Sequence, residues 1–300
     1  MAIIDDIKGG FLRSSMLMRL IFINVIVFVL VRLVLVGTYL LQMPDGDVLG
    51  WVAMSSDLLT LAHRPWTVVT YMFTHYDVLH ILLNMLWLYW LGRIFMEFFS
   101  AKQLSGVYIL GGLGGAALFL AVYHLLPHSA ATQSYLLGAS ASVIAIVVAT
   151  AVYTPDYKIG LLFLGDVSLK WIAIVTVAID LLSLNGGNAG GSIAHLGGAI
   201  IGWLYAWRIR HGRDITRPLN AAIDGIVGLF NGRKLKFPRF GNPIIKRAES
   251  TGSTRDNRPA DIVSEDELDK ILDKIRASGY DALSDEEREK LFKASRRRSP

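Results

Sequence analysis

The chain has 300 residues, of which 53% are hydrophobic and 18% are charged, and its mean hydropathy is positive. That balance excludes an ordinary soluble globular protein and predicts a membrane protein. Because the sequence contains no cysteine, disulfide bonds, thiolate catalysis and cysteine-based metal sites are also excluded.

Six apolar stretches approach the roughly 20 residues that a membrane-spanning helix requires. They cover residues 17–36, 79–98, 107–126, 137–152, 169–184 and 193–209. The sequence therefore predicts an all-α membrane protein with six transmembrane helices in residues 1–213. No cleavage site of small residues follows the first stretch, so we predict a retained span rather than a signal peptide.

Lysine and arginine residues cluster at alternate connections between these stretches, and they predict the orientation in the membrane. The basic connections contain Lys8, Arg13, Arg19, Arg93, Lys102, Lys158, Lys170, Arg208, Arg210 and Arg213. Residues 42–77, 127–136 and 185–192 contain only one such residue, Arg64. By the positive-inside rule, both termini are cytoplasmic and these three connections face outward. We expect a multi-pass protein of a bacterial inner membrane.

Residues 214–300 have the composition of a soluble cytoplasmic tail. Residues 214–260 predict an amphipathic helix on the membrane surface and then a flexible basic linker. The basic residues of the linker lie close to the membrane, so we expect them to bind anionic lipid headgroups rather than nucleic acid. Residues 261–300 predict a small helical hairpin, because residues 264–267 and 284–287 both read as Ser-x-x-Glu capping boxes. The hairpin is expected to dock or to support structure, and the sequence does not identify its partner.

Two polar residues lie at a similar depth near the outer surface. Ser140 is three residues after the start of the fourth stretch and His195 is about three residues into the sixth, so both lie about one turn (roughly 5 Å) inside the outer boundary. Taken alone, such a serine usually bonds its own helix and such a histidine is usually structural. Small residues on the two helices would let them approach closely: Gly198 and Gly202 on one, and Ala141, Ala145 and Ala149 on the other.

A third group of polar residues lies at the outward end of the second stretch. His80 and Asn84 share one helical face at i,i+4 spacing, and His75 lies just before them. Uncharged donors at that depth are costly to bury without partners, and they suit a site where an oxyanion forms. The three groups together predict a nucleophile, a base and oxyanion donors.

These residues resemble the rhomboid intramembrane serine proteases over about residues 15–210. The motifs that carry the resemblance are Gly138-Ala139-Ser140, the spacing of His75, His80 and Asn84, Ala194-His195 followed by Gly198 and Gly202, and Arg64-Pro65-Trp66 in the first outer loop.

The resemblance implies a catalytic Ser-His dyad with no third acid, in which Ser140 is the nucleophile and His195 is the general base. It implies an oxyanion hole made by His80, Asn84 and the backbone N–H of Ser140. The loop that contains Arg64 and Trp66 would then anchor the enzyme in a thinned bilayer.

The chain departs from the family pattern at two positions. Ala141 stands where glycine is common, and Ile144 stands where an aromatic ring often lies against the catalytic histidine. The first departure is mild, but the second leaves the sequence without an evident means of holding the His195 ring.

The predicted function is an intramembrane serine endopeptidase that cleaves transmembrane segments of other proteins near their outer ends, without a cofactor or a metal. The alternative is an inactive rhomboid-like chaperone or binder of such helices. A soluble esterase is disfavoured because Ser142 breaks the G-x-S-x-G motif, and a zinc site lacks the i,i+4 histidine pair. A transporter is disfavoured because the two halves show no repeat. The short fifth stretch is a candidate lateral entrance for substrate.

Overall fold

The computed structural model of the protein describes residues 14–42, 46–126, 134–161 and 165–230, and in the tail residues 271, 274, 283, 284, 286–288 and 291. The chain forms two compact units, Met1–Phe237 and Pro238–Pro300. The described part of the first unit is mostly helical.

Among the described residues, six long helices form the body of the first unit: α1 (Met16–Leu40), α5 (Val78–Phe98), α6 (Ala101–Leu125), α7 (Ser140–Tyr153), α8 (Leu169–Leu182) and α9 (Ala189–Arg210). Three short helices lie between α1 and α5: α2 (Gly46–Gly50), α3 (Leu58–His63) and α4 (Thr67–Thr70), the last of which continues into a 3₁₀ turn (Tyr71–Phe73). Helix α10 (Arg217–Phe230) follows α9.

In the described part of the chain, two short antiparallel sheets connect the helices. Strand β1 (Met54–Ser55) pairs with β2 (Tyr135–Leu136), and β3 (Lys158–Leu161) pairs with β4 (Gly165–Ser168) between α7 and α8. The first sheet ties the loop after α1 to the segment that immediately precedes Ser140. It therefore contributes to the position of that serine.

The long helices begin where side chains satisfy their free backbone N–H groups. Ser15 caps α1, and Ser100 with Gln103 forms a complete capping box at α6. At α5, the Asp77 carboxylate accepts a hydrogen bond from the His80 backbone N–H at 2.8 Å. This cap fixes the first turn of α5, which carries the His80 side chain.

Helix α7 lies at the centre of the bundle, since every residue from 141 to 151 is buried. A Cβ atom at Gly198 would overlap the Ala141 carbonyl oxygen, and one at Gly202 would overlap the Ala145 carbonyl oxygen. The backbones of α7 and α9 are therefore in direct contact along the small-residue faces that the sequence predicts to meet.

Three of the described helices are long and apolar enough to cross a membrane, namely α1, α5 and α6. They overlap the first three predicted spans, although α6 begins six residues before the predicted start at residue 107. Helices α7 and α8 have 14 residues each, about 21 Å at 1.5 Å per residue, which is less than the roughly 30 Å of a hydrocarbon core. The count of six spans therefore stays a prediction.

Large apolar side chains cover the outward faces of the bundle. Exposed examples are Leu33 on α1, Leu82 on α5, Ile174 on α8 and Ile200 on α9. Water would disfavour so much contiguous apolar surface, whereas a bilayer matches it. The protein is an integral membrane protein.

Helix α10 lies where the sequence predicts the amphipathic helix after the bundle. Its Asp224 carboxylate accepts a hydrogen bond from the Lys102 ammonium group at 2.6 Å, next to the start of α6. The predicted linker from residue 231 onward, the capping box at residues 264–267 and residues 127–133 of the second outer connection lie outside the described residues.

The second unit shows the second of the two predicted capping boxes, at residues 284–287. The Ser284 backbone N–H donates to Glu287 Oε2 at 2.8 Å, and the Glu287 backbone N–H donates to Ser284 Oγ at 3.3 Å. Ile271 and Leu283 are buried. These contacts stabilise the start of a helix, while the complete hairpin stays a prediction.

Candidate active site

Ser140 is the first residue of α7, whereas the predicted span began three residues earlier. The difference arises at Gly138, whose φ of +121° is a left-handed conformation that cannot continue a helix. Because α7 begins at Ser140, the backbone N–H of that residue has no acceptor within the helix. The positive end of the helix dipole lies at the same place.

Backbone hydrogen bonds hold the turn that precedes Ser140. The Gly138 N–H donates to the Tyr71 carbonyl oxygen at 2.9 Å, and the Ala139 N–H donates to His75 Nε2 at 3.3 Å. The paired strand β2 lies just before the turn. These contacts fix the serine through its backbone, independently of its side-chain bond.

His195 lies in α9, one turn before Gly198, where α9 contacts α7. Its Nε2 atom lies 2.6 Å from Ser140 Oγ. The side chain is only 20% exposed. The serine and the histidine therefore share a hydrogen bond in a mostly enclosed place.

A carboxylate lies on the other side of the imidazole. Asp180 Oδ1 is 2.7 Å from His195 Nδ1, and the Asp180 side chain is 10% exposed. The resemblance implied a site without a third acid, so the sequence reasoning missed this residue. The signal was present, because Asp180 is the only acidic residue in the fifth apolar stretch, and an ionisable group in a membrane helix is a candidate for function.

His80 and Asn84 line one cavity together with Ser140. A Cβ atom at Gly138 would lie 2.8 Å from both Cε1 and Nε2 of His80, so only glycine leaves room for that ring. The Asn84 amide nitrogen donates to the His80 carbonyl oxygen at 2.9 Å. This bond uses one of the two amide hydrogens of Asn84 and leaves the other for a ligand.

His75 supports the wall of the site from behind. Its ring centre lies 5.0 Å from that of His80, in an edge-to-face arrangement. The residue lies in the connection before α5, and burial, with a smaller contribution from His80, lowers the pKa of His75 to about 4. The ring is therefore neutral at pH 7, and its Nε2 atom can accept the hydrogen bond from Ala139.

Two cavities reach the pair formed by Ser140 and His195. One, of about 600 Å³, includes polar side chains of the outer end, among them Asp77 and Asn188. The other, of about 480 Å³, is lined mainly by apolar side chains of α5, α7 and α8: Leu83, Trp87, Val143, Ile144, Val147 and Ile179. The reacting groups thus lie between a polar approach and an apolar approach.

Arg64 and Trp66 lie apart from these cavities, in the connection between α3 and α4. The Arg64 guanidinium lies 4.4 Å from the ring centre of Trp51, and Trp51 stacks on Trp66 at 5.7 Å. The Trp66 indole N–H donates to the Trp51 carbonyl oxygen at 2.8 Å. The sequence reasoning did not select Trp51. An exposed tryptophan pair of this kind is typical of a membrane–water interface.

Comparison with known protein families matches the rhomboid domain to residues 62–212 and a family of unknown function, DUF6576, to residues 262–297. The chain is 32% identical to RHOMBOID-like protein 12, mitochondrial, of Arabidopsis thaliana, over 50% of this chain and 48% of that protein. It is 28% identical to the rhomboid protease GlpG of Yersinia pseudotuberculosis serotype I, over 60% of this chain and 62% of that protein.

A third relative is Presenilin-associated rhomboid-like protein A, mitochondrial, of Danio rerio, with 27% identity over 48% of this chain and 36% of that protein. The chain thus spans less than two thirds of the length of each of these relatives. The residues of the site, from His75 to His195, all lie inside the segment that matches the family.

Proposed function

The chain belongs to the rhomboid family, and we propose that it is an intramembrane serine endopeptidase that cleaves transmembrane segments of other proteins near their outer ends. The observation that carries this proposal is the 2.6 Å distance between Ser140 Oγ and His195 Nε2, at the start of a helix and between two cavities. Acyl transfer requires a nucleophile, a base within hydrogen-bond reach and space for the substrate carbonyl group.

In the acylation step, Ser140 Oγ forms a bond to the substrate carbonyl carbon while His195 Nε2 accepts the hydroxyl proton. The carbonyl oxygen becomes an oxyanion. When the C–N bond breaks, Nε2 returns the proton to the leaving amine. A positioned general base of this kind typically contributes about 10²–10⁴-fold to the rate.

In the deacylation step, a water molecule that arrives through the polar cavity attacks the acyl carbon and loses a proton to His195 Nε2. The bond between Ser140 Oγ and the acyl carbon then breaks, and the serine oxygen recovers its proton. The polar side chains at the outer end, such as Asp77 and Asn188, favour the presence of water on this side of the site.

The oxyanion is proposed to accept hydrogen bonds from the backbone N–H of Ser140 and from the His80 and Asn84 side chains. The helix start supplies the first donor, and the packing of His80 against Gly138 fixes the second. One preorganised donor of this kind is typically worth about 10²–10³-fold in kcat.

The proposed substrate is the membrane helix of another protein. In lipid the backbone hydrogen bonds of such a helix are satisfied internally, so a peptide carbonyl becomes accessible only after local unwinding. Glycine and other weak helix formers near the outer end favour unwinding. The apolar cavity between α5, α7 and α8 offers a matching approach to Ser140 from the lipid side.

The test uses purified protein in liposomes together with a fluorescently labelled single-span helix. Wild type is expected to cleave it, and Ser140→Ala and His195→Ala are expected to lose cleavage. Ser142→Ala is the matched control, because this serine lies two residues further along the same helix and its buried hydroxyl has no hydrogen-bond partner among the described residues. Its kcat should stay near that of wild type.

Cleavage by Ser140→Ala at the wild-type rate would contradict the assignment. If wild type and all three variants bind the labelled helix and none cleaves it, the protein is instead a binder of transmembrane segments.

A further inference from the structure

Asp180 is a buried carboxylate that the dyad mechanism does not use. It lies in α8, where among the 14 residues only Leu169, Ala173 and Asp180 are buried. Burial of an acidic side chain in a membrane helix raises the free energy of the folded protein unless a partner group compensates for it. Such a residue is therefore a candidate for function. Its partner is His195 Nδ1, at 2.7 Å.

The two hydrogen bonds of His195 determine which ring nitrogen carries the proton. A carboxylate oxygen can only accept a hydrogen bond, so the Nδ1–H of the imidazole donates to Asp180. In the neutral ring Nε2 is then unprotonated, and its lone pair faces the Ser140 hydroxyl at 2.6 Å. This is the tautomer that a general base requires.

The contact with Asp180 also accounts for the fixed orientation of the His195 imidazole ring. Ile144, which occupies the position where rhomboid proteins often have an aromatic ring, lines the same cavity as His195 but offers only an aliphatic surface. A hydrogen bond at each ring nitrogen fixes the plane of the imidazole, whereas an aliphatic contact restricts it weakly.

We propose that Asp180 is the positioning residue of the site: it orients His195, fixes the reactive tautomer and stabilises the imidazolium that forms when Ser140 attacks. Three helices would then supply a Ser-His-Asp triad within the membrane. This inference rests on the proposed peptidase function, because it assigns Asp180 a role in that reaction.

The experiment compares Asp180→Asn and Asp180→Glu with wild type in the liposome cleavage assay. Asp180→Asn keeps the size of the side chain but can present an amide N–H to Nδ1, which favours the wrong tautomer. We expect kcat to fall by about 10²-fold or more, with little change in KM. Asp180→Glu restores a carboxylate and should recover part of the loss.

The split between kcat and KM separates positioning from simple structural support. Loss of the ring orientation lowers kcat at nearly unchanged KM in protein that stays folded, whereas a structural role lowers the amount of folded protein. Thermal unfolding in detergent should therefore show that Asp180→Asn is folded while its kcat is reduced.

Asp156→Asn is the matched control. Asp156 accepts a hydrogen bond from Lys170 at 2.6 Å, at the opposite end of α8. The substitution therefore also removes a carboxylate that contacts α8, but far from the serine. We expect its kcat and KM to match those of wild type.

The outcomes distinguish this inference from the proposed function. If Ser140→Ala is inactive while Asp180→Asn keeps the wild-type kcat, the positioning role is wrong and the peptidase function stands. If Asp180→Asn and Asp180→Glu lose activity equally and in proportion to a loss of folded protein, Asp180 has only a structural role. If wild type does not cleave, the proposed function itself fails.

Discussion

The position of the Ser140 nucleophile depends on a residue that has no side chain. At Gly138 the φ of +121° and the 2.8 Å approach of the His80 ring both exclude a Cβ atom. We predict that Gly138→Ala lowers kcat by about 10²-fold or more, since it displaces an oxyanion donor and the turn before the nucleophile. Steady-state cleavage of the labelled helix measures the effect.

Gly165→Ala is the control for backbone strain alone. Gly165 also has a positive φ, of +69°, but a Cβ atom there would meet nothing within 4 Å. The substitution should cost about 1–2 kcal/mol of stability and leave kcat unchanged. Equal kcat for wild type and Gly138→Ala would show that the His80 contact does not matter for the reaction.

The residues of the site differ in how readily the sequence reveals them. The pairing of Ser140 with His195 could be predicted because both lie near the predicted outward ends of apolar stretches, although α7 begins at Ser140 itself and α9 begins well before His195. The direction in which Asp180 points depends on the rotation of α8 about its axis. The other polar residues of that helix are Lys170 in its first turn and Thr176, which are too few to define a continuous polar stripe, so the sequence leaves the rotation open.

At the scale of elements, the contact between α7 and α9 sets the distance between base and nucleophile. We predict that Gly198→Ala lowers both thermal stability and kcat. The added Cβ atom would overlap the Ala141 carbonyl oxygen, one residue after the nucleophile. Overpacking of this kind typically costs about 1–3 kcal/mol. Thermal unfolding in detergent and cleavage of the labelled helix measure the two effects.

Gly37→Ala is the matched control for Gly198→Ala. Gly37 also lies inside a helix, α1, but a Cβ atom there would meet nothing within 4 Å. Alanine is the better helix former by about 1 kcal/mol, so stability should stay equal or rise and kcat should not change. A Gly198→Ala variant as stable and active as Gly37→Ala would mean that α9 can shift without disturbing the site.

Helix boundaries show what local chemistry adds to an apolar pattern. Helix α6 begins at residue 101, six residues before the predicted span, because Ser100 and Gln103 form a capping box that a search for apolar residues overlooks. Helix α7 begins three residues late because of Gly138. Both signals were in the sequence, but they are read from capping and backbone rules rather than from hydropathy.

At the scale of the whole molecule, the path of the chain across the membrane depends on the shorter helices. Helices α1, α5 and α6 are long and apolar enough to cross a membrane, whereas α7 and α8 are shorter than the hydrocarbon core is thick. Burial of α7 inside the bundle explains its length, because a helix surrounded by protein does not need to match the thickness of the lipid.

The six-span path can be tested with single cysteines, because the sequence contains none. We predict that Gly187→Cys is labelled by a membrane-impermeant maleimide on intact cells. Labelling only after permeabilisation is expected for Ala101→Cys, Lys158→Cys and Arg213→Cys, since these residues lie at basic connections.

All four positions are exposed. Residues 101 and 158 on one side mean that α6 and α7 both cross the membrane or that neither does. Residue 187 on the other side then places α8 as a span, and residue 213 places α9. Labelling of Arg213→Cys on intact cells would show that the predicted orientation is wrong, and equal labelling at 187 and 213 would exclude α9 as a span.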